Sequence, residues 1–458
     1  MVGAGCLGVA NMSEMGLEQE YEKNHMEVPW HDYASDPEEN VIITDAPITE
    51  RASVVGRVGL MLLACGTGAW RVRSSMNLLS KSLGMSCSAN IGLMTIDYTC
   101  FDGDDGFTRS LCLTTTGVNT SRLNRLERFV SAFGEEGSKL TGEEIHSTLD
   151  DIERTHGLYS PLSLGLASAI ACGAFTFLLG GGLPEIFLAF FGAGVGNAVR
   201  SWLGKRRYTF FMCTAVSVAA ACLTYTVLFR FACAFMGLSD IHESGYICSM
   251  LFVIPGFPLI TSGIDLAKLD MRSGIERLAY AIVIVAVATL TAWGTALAFG
   301  LQPGDFPALG LDATTLLLLR LVASFFGVFG FSMMFNSPLL LAAYAGLVGA
   351  VANTLRLELV GFAVCPPAVA AFLGALVAGL LASRMRGHVG YPRIAVTVPS
   401  IVIMVPGLYF YKAVYNLGTM SLSESGSLLA AAGLIVAALP LGLVCARILT
   451  DRTFRHCT

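Results

Sequence analysis

Charge is what this chain has least of. Asp, Glu, Lys and Arg make up 14% of its 458 residues, against roughly 25% in an ordinary water-soluble domain. Hydrophobic residues fill 54% instead, so much of the chain is expected to lie in a bilayer rather than in water. Nucleotide and hydrolase signatures are also missing. No phosphate-cradling glycine loop, no Gly-x-Ser-x-Gly and no His-Glu-x-x-His occurs, so neither an ATP site nor a marked nucleophile is read from motif. Thirteen cysteines include no Cys-x-x-Cys pair, and most, such as Cys172, Cys213, Cys222 and Cys233, sit in apolar runs. They read as reduced packing residues, and no metal or other cofactor is expected.

Basic residues are nearly absent from the first 50 positions, which hold eleven acidic side chains and one lysine, while the rest of the chain is net +5. So acidic and apolar-poor a stretch is expected to be a disordered tail over residues 1–50. No basic flank, apolar core and small-residue cleavage site follow one another near the N-terminus. A signal peptide is therefore not expected, and the polar parts are expected in the cytoplasm.

What the chain does have is repetition. Asn197, Arg200 and Leu203 recur 156 residues later as Asn353, Arg356 and Leu359. Pro255-Gly256 with Asp265 beyond it recurs 151 residues later as Pro406-Gly407 with Asn416. Around these lie ten apolar segments of bilayer-crossing length, near 160–180, 184–203, 209–233, 245–266, 274–300, 314–336, 338–356, 366–383, 394–416 and 426–447. Clusters such as Gly192-Ala-Gly-Val-Gly196 suit close helix packing in lipid. With Ser160 inside, thirteen basic residues near the spans face the cytoplasm and only Arg230, Arg320, Arg356 and Lys412 face out, which predicts cytoplasmic termini. Five spans per copy is an odd number, so the second copy would run upside down. The expected fold is thus an all-α integral membrane protein of about ten transmembrane helices, a 5+5 inverted repeat over 160–303 and 313–447. A small cytoplasmic α/β domain at 51–158 precedes it and a cytoplasmic tail at 448–458 follows, the whole in the cytoplasmic (inner or plasma) membrane.

Proline removes a donor and glycine tolerates the bend, and freed carbonyls in lipid must face protein or a wet cavity. Pro255, Gly256, Pro406 and Gly407 are therefore expected to break two helices at the midplane and line the substrate path. Asp265 is the candidate for proton coupling, the alternative being a solvated carboxylate paired with Lys268; its counterpart Asn416 would be a polar group on the path. Asn197 and Asn353 either contact substrate or tie helices together. Glu276 and Arg277 form a candidate ion pair, and Arg200 and Arg356, at opposite membrane faces, gate each entrance or snorkel.

Ahead of the spans, residues 53–83 read as helix with a break at Gly66-Thr-Gly68. Two strands, 89–101 and 106–116, would flank the turn Asp102–Gly106. A helix at 121–133 follows, then a capping box, Thr141 to Glu144, opening a helix to Thr155.

Three stretches carry a family likeness. Gly66-Thr-Gly-Ala-Trp-Arg-Val-Arg-Ser-Ser-Met76, Asn119-Thr-Ser-Arg-Leu-Asn-Arg-Leu126, and Ile254-Pro-Gly256 with Asp265, Ser273-Gly274 and Arg277 together resemble the threonine/serine exporter family over about residues 51–447. The resemblance implies ten spans and proton-driven export of threonine and serine. Some two-subunit relatives are linked to succinate export; here the second membrane block looks fused. By position, Arg71 and Val72 match the family's first motif, and Pro255, Gly256, Asp265, Gly274 and Arg277 its membrane motif. Where many relatives carry a glutamate after the aromatic-Arg-Val run, this chain has Arg73, which reverses the charge. The expected function is a proton-coupled secondary exporter of small amino acids, its partners substrate, protons and lipid bilayer rather than nucleic acid, with a homo-oligomer compatible. The alternatives are export of a small dicarboxylate such as succinate, and a membrane-anchored hydrolase with 51–158 catalytic.

Overall fold

A computed structural model describes residues 28–35, 41–155 and 157–455. The chain divides into two units. Of the expected acidic tail, residues 1–27 and 36–40 lie outside the described residues, but the remainder is not a tail. Trp30–Tyr33 and Ile43–Asp45 form short 3-10 turns, Ile43 and Glu50 are buried, and helix α1 (Ile48–Ala64) already starts at Ile48. The average composition of 50 residues concealed a local apolar cluster, Val41-Ile-Ile43, that docks beside Leu140 through an Ile43 N–H bond of 2.9 Å to its carbonyl.

The first unit is α/β. Helix α2 (Ala69–Ser82) follows α1 after the glycine break, then strands β1 (Ser86–Ile91), β2 (Thr95–Asp102) and β3 (Asp105–Cys112) form an antiparallel sheet in sequence order. Where one long strand was expected there are two, because Gly92 turns the chain and its N–H bonds Thr95 O at 2.8 Å. Gly103 at φ 60° makes the next two-residue turn, a conformation glycine adopts without strain. Ile96, Tyr98 and Cys100 alternate inward against α1, which packs on β2 and β3. Helices α3 (Thr120–Ala132) and α4 (Gly142–Glu153) complete it, the latter opened by the expected Thr141–Glu144 capping box. The segments Cys65–Trp70 and Val118–Arg125 belong with the second unit.

That second unit is helical. Its elements are α5 (Pro161–Leu178), α6 (Leu183–Lys205), α7 (Phe210–Met236), the short α8 (Tyr246–Ser249), α9 (Gly256–Ala267) and α10 (Met271–Phe299). Then come α11 (Ala313–Met334), α12 (Leu339–Gly361), α13 (Pro367–Val389), α14 (Ile394–Val402), α15 (Gly407–Gly418) and α16 (Leu422–Thr450). Among the described residues, eight helices are long and apolar enough to cross a membrane, and two further crossings arise if each bent pair counts as one. Their outer faces carry exposed apolar side chains such as Phe187, Val227, Leu297, Leu318 and Leu434, the pattern of a multi-pass membrane protein.

Packing follows the sequence repeat. Helix α5 meets α6 as α11 meets α12, α7 meets α10 as α13 meets α16, and α9 meets α10 as α15 meets α16. Across the halves α5 meets α11, while α9 meets α16 as α15 meets α10. Within the stretch expected as a cytoplasmic tail at 448–458, helix α16 runs on to Thr450 and a short turn follows at Thr453–Arg455, with Phe454 buried; residues 456–458 lie outside the described residues.

Small residues set the helix spacing. A Cβ on Gly196 would lie 2.7 Å from Ala221 Cβ and 2.8 Å from Ser217 O on α7, whereas one on Gly204 of the same helix would touch nothing. Gly196→Ala should therefore lower stability by about 1–3 kcal/mol and Gly204→Ala should not. Thermal melts of the purified full-length variants in detergent check this; equal midpoints would refute it.

Candidate functional site

Each of the two bent spans breaks at a proline in the same way. Pro255 has φ −80° and ψ 61°, Pro406 φ −81° and ψ 58°. The following glycine N–H bonds the carbonyl before the proline, Gly256 to Ile254 at 2.8 Å and Gly407 to Val405 at 2.9 Å. These are inverse γ-turns. They bend the spans by 54° and 46° while keeping a backbone donor and acceptor paired within an apolar interior.

The two breaks pack on each other reciprocally. A Cβ on Gly256 would lie 2.3 Å from Val402 and 3.3 Å from Val405; one on Gly407 would lie 2.9 Å from Leu251 and 3.1 Å from Ile254. Adding 151 to 251, 254 and 256 yields 402, 405 and 407, so each contact is the repeat image of the other. Nearby, a buried hydrogen bond of 2.6 Å joins the Tyr246 and Tyr411 hydroxyls.

A pocket opens beside the second break, lined by Asn353, Arg356, Pro406, Gly407, Tyr409 and the apolar wall of Phe175 and Leu178. Four residues singled out from sequence thus converge there. Asn353 donates to Ser324 Oγ at 2.9 Å and accepts from Arg356 Nη1 at 3.2 Å. Asn197 and Asn416 are not brought to it. Asn197 donates to Leu164 O at 2.8 Å, tying α6 to α5, and the half-buried Asn416 donates to Glu424 at 3.2 Å. Arg200 is half-buried, within electrostatic reach of Tyr280.

Asp265 is fully buried. Its ion-pair partner is Arg277 at 3.2 Å, rather than Lys268, which donates to Phe454 O at 2.9 Å. Nor does Glu276 pair with Arg277; it meets Arg272 at 3.2 Å on the surface, because neighbours on a helix point apart. Ser273 Oγ donates to Asp265 at 2.9 Å and accepts from Arg277 Nε at 3.0 Å. The glycine break supplies the remaining contacts. Arg277 donates to Gly66 O at 3.2 Å and Thr67 O at 2.8 Å, and the Ala69 N–H donates to Asp265 at 3.0 Å. Asp265 therefore sits at the positive N-terminus of α2. Gly68 must be glycine, for a Cβ would approach Asp265 Oδ1 to 2.7 Å.

A second cavity, lined by Gly68, Trp70, Thr261, Thr397, Arg393 and Phe454 among others, is roofed by aromatic and cationic groups. Trp70 and Phe454 meet edge to face at 5.6 Å, with Arg447 over both rings at 4.2 and 4.5 Å and Lys268 over Phe454 at 4.2 Å. Neither this roof nor the tyrosine pair was visible in sequence. Both join residues more than 150 positions apart, and a lone aromatic in an apolar helix has no motif to flag it.

In the first unit Arg71 bonds Glu127, joining α2 to α3, and Arg73 donates to Ala89 O at 3.2 Å. Among the described residues there, an arrangement with a hydrolase-like look is Ser53 Oγ 3.0 Å from His146 Nε2. The other ring nitrogen faces Arg57 at 3.4 Å rather than a carboxylate, and nothing in this set activates a serine. Burial above all, with the charges of Arg57 and His31 adding, pushes the His146 pKa down to about 3, leaving the ring a poor base.

Broken spans crossing inside a multi-pass helical membrane protein are the architecture of a transporter rather than an enzyme. The family model described as "Putative threonine/serine exporter" matches residues 53–300, and "Threonine/Serine exporter, ThrE" matches residues 320–449. The chain belongs to the threonine/serine exporter family, in a form with both parts fused. It is similar to the "Threonine/serine exporter" of Corynebacterium glutamicum, 26% identical over 394 residues, 81% of this chain and 78% of that one. It is also similar to the "Pheromone-regulated membrane protein 10" of Debaryomyces hansenii, 22% identical over 414 residues, 84% of this chain but only 38% of that longer protein. The "Probable succinate transporter subunit YjjP" of Escherichia coli is 24% identical over 274 residues, 54% of this chain and 97% of that one. No solved structure matches the chain.

The His146 shift has a testable sign. An unfolded histidine takes up a proton below about 6.5, the folded one only near 3, so this contribution is complete above pH 6.5 and drains as pH falls toward 3. Hydrogen exchange of the full-length protein, corrected for intrinsic rates, should show α1 and α4 amides losing protection from pH 7 to 5 in wild type. The loss should be smaller in His146→Asn; an equal loss would refute it.

Proposed function

We propose that the chain is a proton-coupled secondary exporter of small amino acids such as threonine and serine, working by alternating access in the cytoplasmic membrane. The observation that carries this is the reciprocal packing of Gly256 against Val402 and Val405 and of Gly407 against Leu251 and Ile254. Two repeat-related breaks meeting at their glycines form a pivot about which the halves can exchange packings. Five spans in each half make the repeats antiparallel in the membrane, so inward-open and outward-open states are near images of one another. On this reading residues 51–158 and both termini lie in the cytoplasm. Pro255, Gly256, Pro406, Gly407 and Asn353 lie on or beside the substrate path, with Arg356 at its outer entrance. Asn197 and Arg200 are their inner counterparts.

Asp265 is the proton carrier in this scheme. Its buried charge balances Arg277, so protonating it leaves a guanidinium without compensation, a state costly enough to require rearrangement. Arg277 also holds the Gly66 and Thr67 carbonyls, which makes the glycine break the element that moves. A hydrolase role for residues 51–158 is not favoured, given the Arg57–His146 pairing. Among the relatives, the fused Corynebacterium protein aligns over more of this chain than YjjP does, which favours amino acids over succinate as substrate.

The test uses purified protein in liposomes. Wild type should accumulate labelled threonine or serine against its gradient when a pH gradient is imposed. Asp265→Asn should lose gradient-driven accumulation to background while retaining threonine–threonine exchange, which needs no proton. Gradient-driven accumulation at wild-type level in Asp265→Asn would remove that residue from the mechanism, and wild-type flux indifferent to pH would remove the coupling.

A further inference from the structure

We propose that Arg356 anchors the carboxylate of the transported molecule, in the pocket beside the Pro406 break; this rests on the exporter reading above. Arg356 lines that pocket, and its Nε is buried with no hydrogen-bond partner. Its one described bond is the 3.2 Å contact of Nη1 with the neutral amide of Asn353. Among the described residues it has no carboxylate at ion-pair distance, although other arginines of the spans do: Arg277 has Asp265 at 3.2 Å, and Arg320 takes Glu358 at 2.8 Å, two residues beyond Arg356 on the same helix. The guanidinium of this half-buried arginine lacks a counter-charge within a membrane span, an expensive arrangement. A site that supplies its anion only when loaded turns that cost into affinity.

The surroundings fit an anion. Helix α15 begins at Gly407 on the rim of the pocket, so its positive dipole end adds to the arginine. Phe175, Leu178 and Ile403 form an apolar wall for the remainder of a small molecule. Arg356 can grip a carboxylate through two parallel bonds, which a lysine cannot.

The repeat-related positions carry different side chains. The pocket walls Leu179 and Leu408 map by the offsets 156 and 151 onto Phe335 and Phe257. Those two rings meet edge to face at 5.3 Å, so bulkier aromatic side chains stand where the pocket has leucines.

Threonine exchange in liposomes containing the full-length protein tests this, with threonine and threonine amide as competitors. The amide keeps the side chain and amino group and lacks only the carboxylate. In wild type it should compete at least about tenfold more weakly than threonine, and Arg356→Gln should raise the threonine KM at least about tenfold while erasing that discrimination. Equal competition by the amide in wild type overturns the proposal and leaves the exporter reading standing, as does an unchanged KM in Arg356→Gln. The competition arm needs no variant, so a misfolded Arg356→Gln does not blunt it. Wild type that exchanges neither threonine nor serine overturns both the proposal and the reading beneath it.

Discussion

The structure depends on one constraint: a backbone broken inside an apolar helical bundle must still pair its polar groups. At Pro255 and Pro406 the γ-turn bonds of 2.8 and 2.9 Å meet part of that demand, and burial of each break against the other excludes lipid from what remains. The glycines are what allow this. With any larger residue the two breaks would be held apart, and the carbonyls opened by the bends would face hydrocarbon. Proline, glycine and the Val402/Val405 and Leu251/Ile254 walls are therefore one device made twice, and the surrounding helices are arranged about it.

The Asp265–Arg277 pair is the complementary case, a charge rather than a bend buried in the bundle. Neither partner could remain there alone. Ser273 orients both, and the Gly66–Ala69 segment completes the arginine's donors and the carboxylate's acceptors. This explains why a glycine motif near residue 66 and a polar motif near residue 265 occur in the same chain: they are two sides of one hydrogen-bonded set. The middle motif behaves similarly, Asn119 and Thr120 meeting Asn336 and Ser337 at 2.9 and 2.8 Å.

Much of this was legible in residue order. Span positions, the capping box at Thr141 and the breaks at both Pro-Gly pairs follow from hydropathy and from backbone chemistry local to each residue. The repeat was legible because Asn, Arg, Pro and Gly are rare enough among aliphatic residues for their spacing to register. Partners were less so. Local spacing suggested Lys268 for Asp265 and Glu276 for Arg277, whereas helix geometry turns i+1 neighbours apart and the true pair spans a helix boundary. The strand boundary at Gly92 was missed because apolar content continues across it, and the order of residues 41–50 because an acidic average masked three apolar residues. The roof of Trp70, Phe454, Arg447 and Lys268 is assembled from distant segments and has no local signature at all.

The bond between Tyr246 and Tyr411 has no image in the other half. The repeat offset carries Tyr246 to Thr397 and Tyr411 back to Ile260, and an isoleucine can neither give nor take a hydrogen bond. One buried neutral bond is worth about 1 kcal/mol. On the proposed alternating-access reading, that difference would weight the empty protein roughly fivefold toward a state that keeps the bond over one that breaks it. A carrier of the proposed kind would repeat its packing in both halves yet have a preferred rest position, with empty return and loaded transit running at different rates before any gradient is applied.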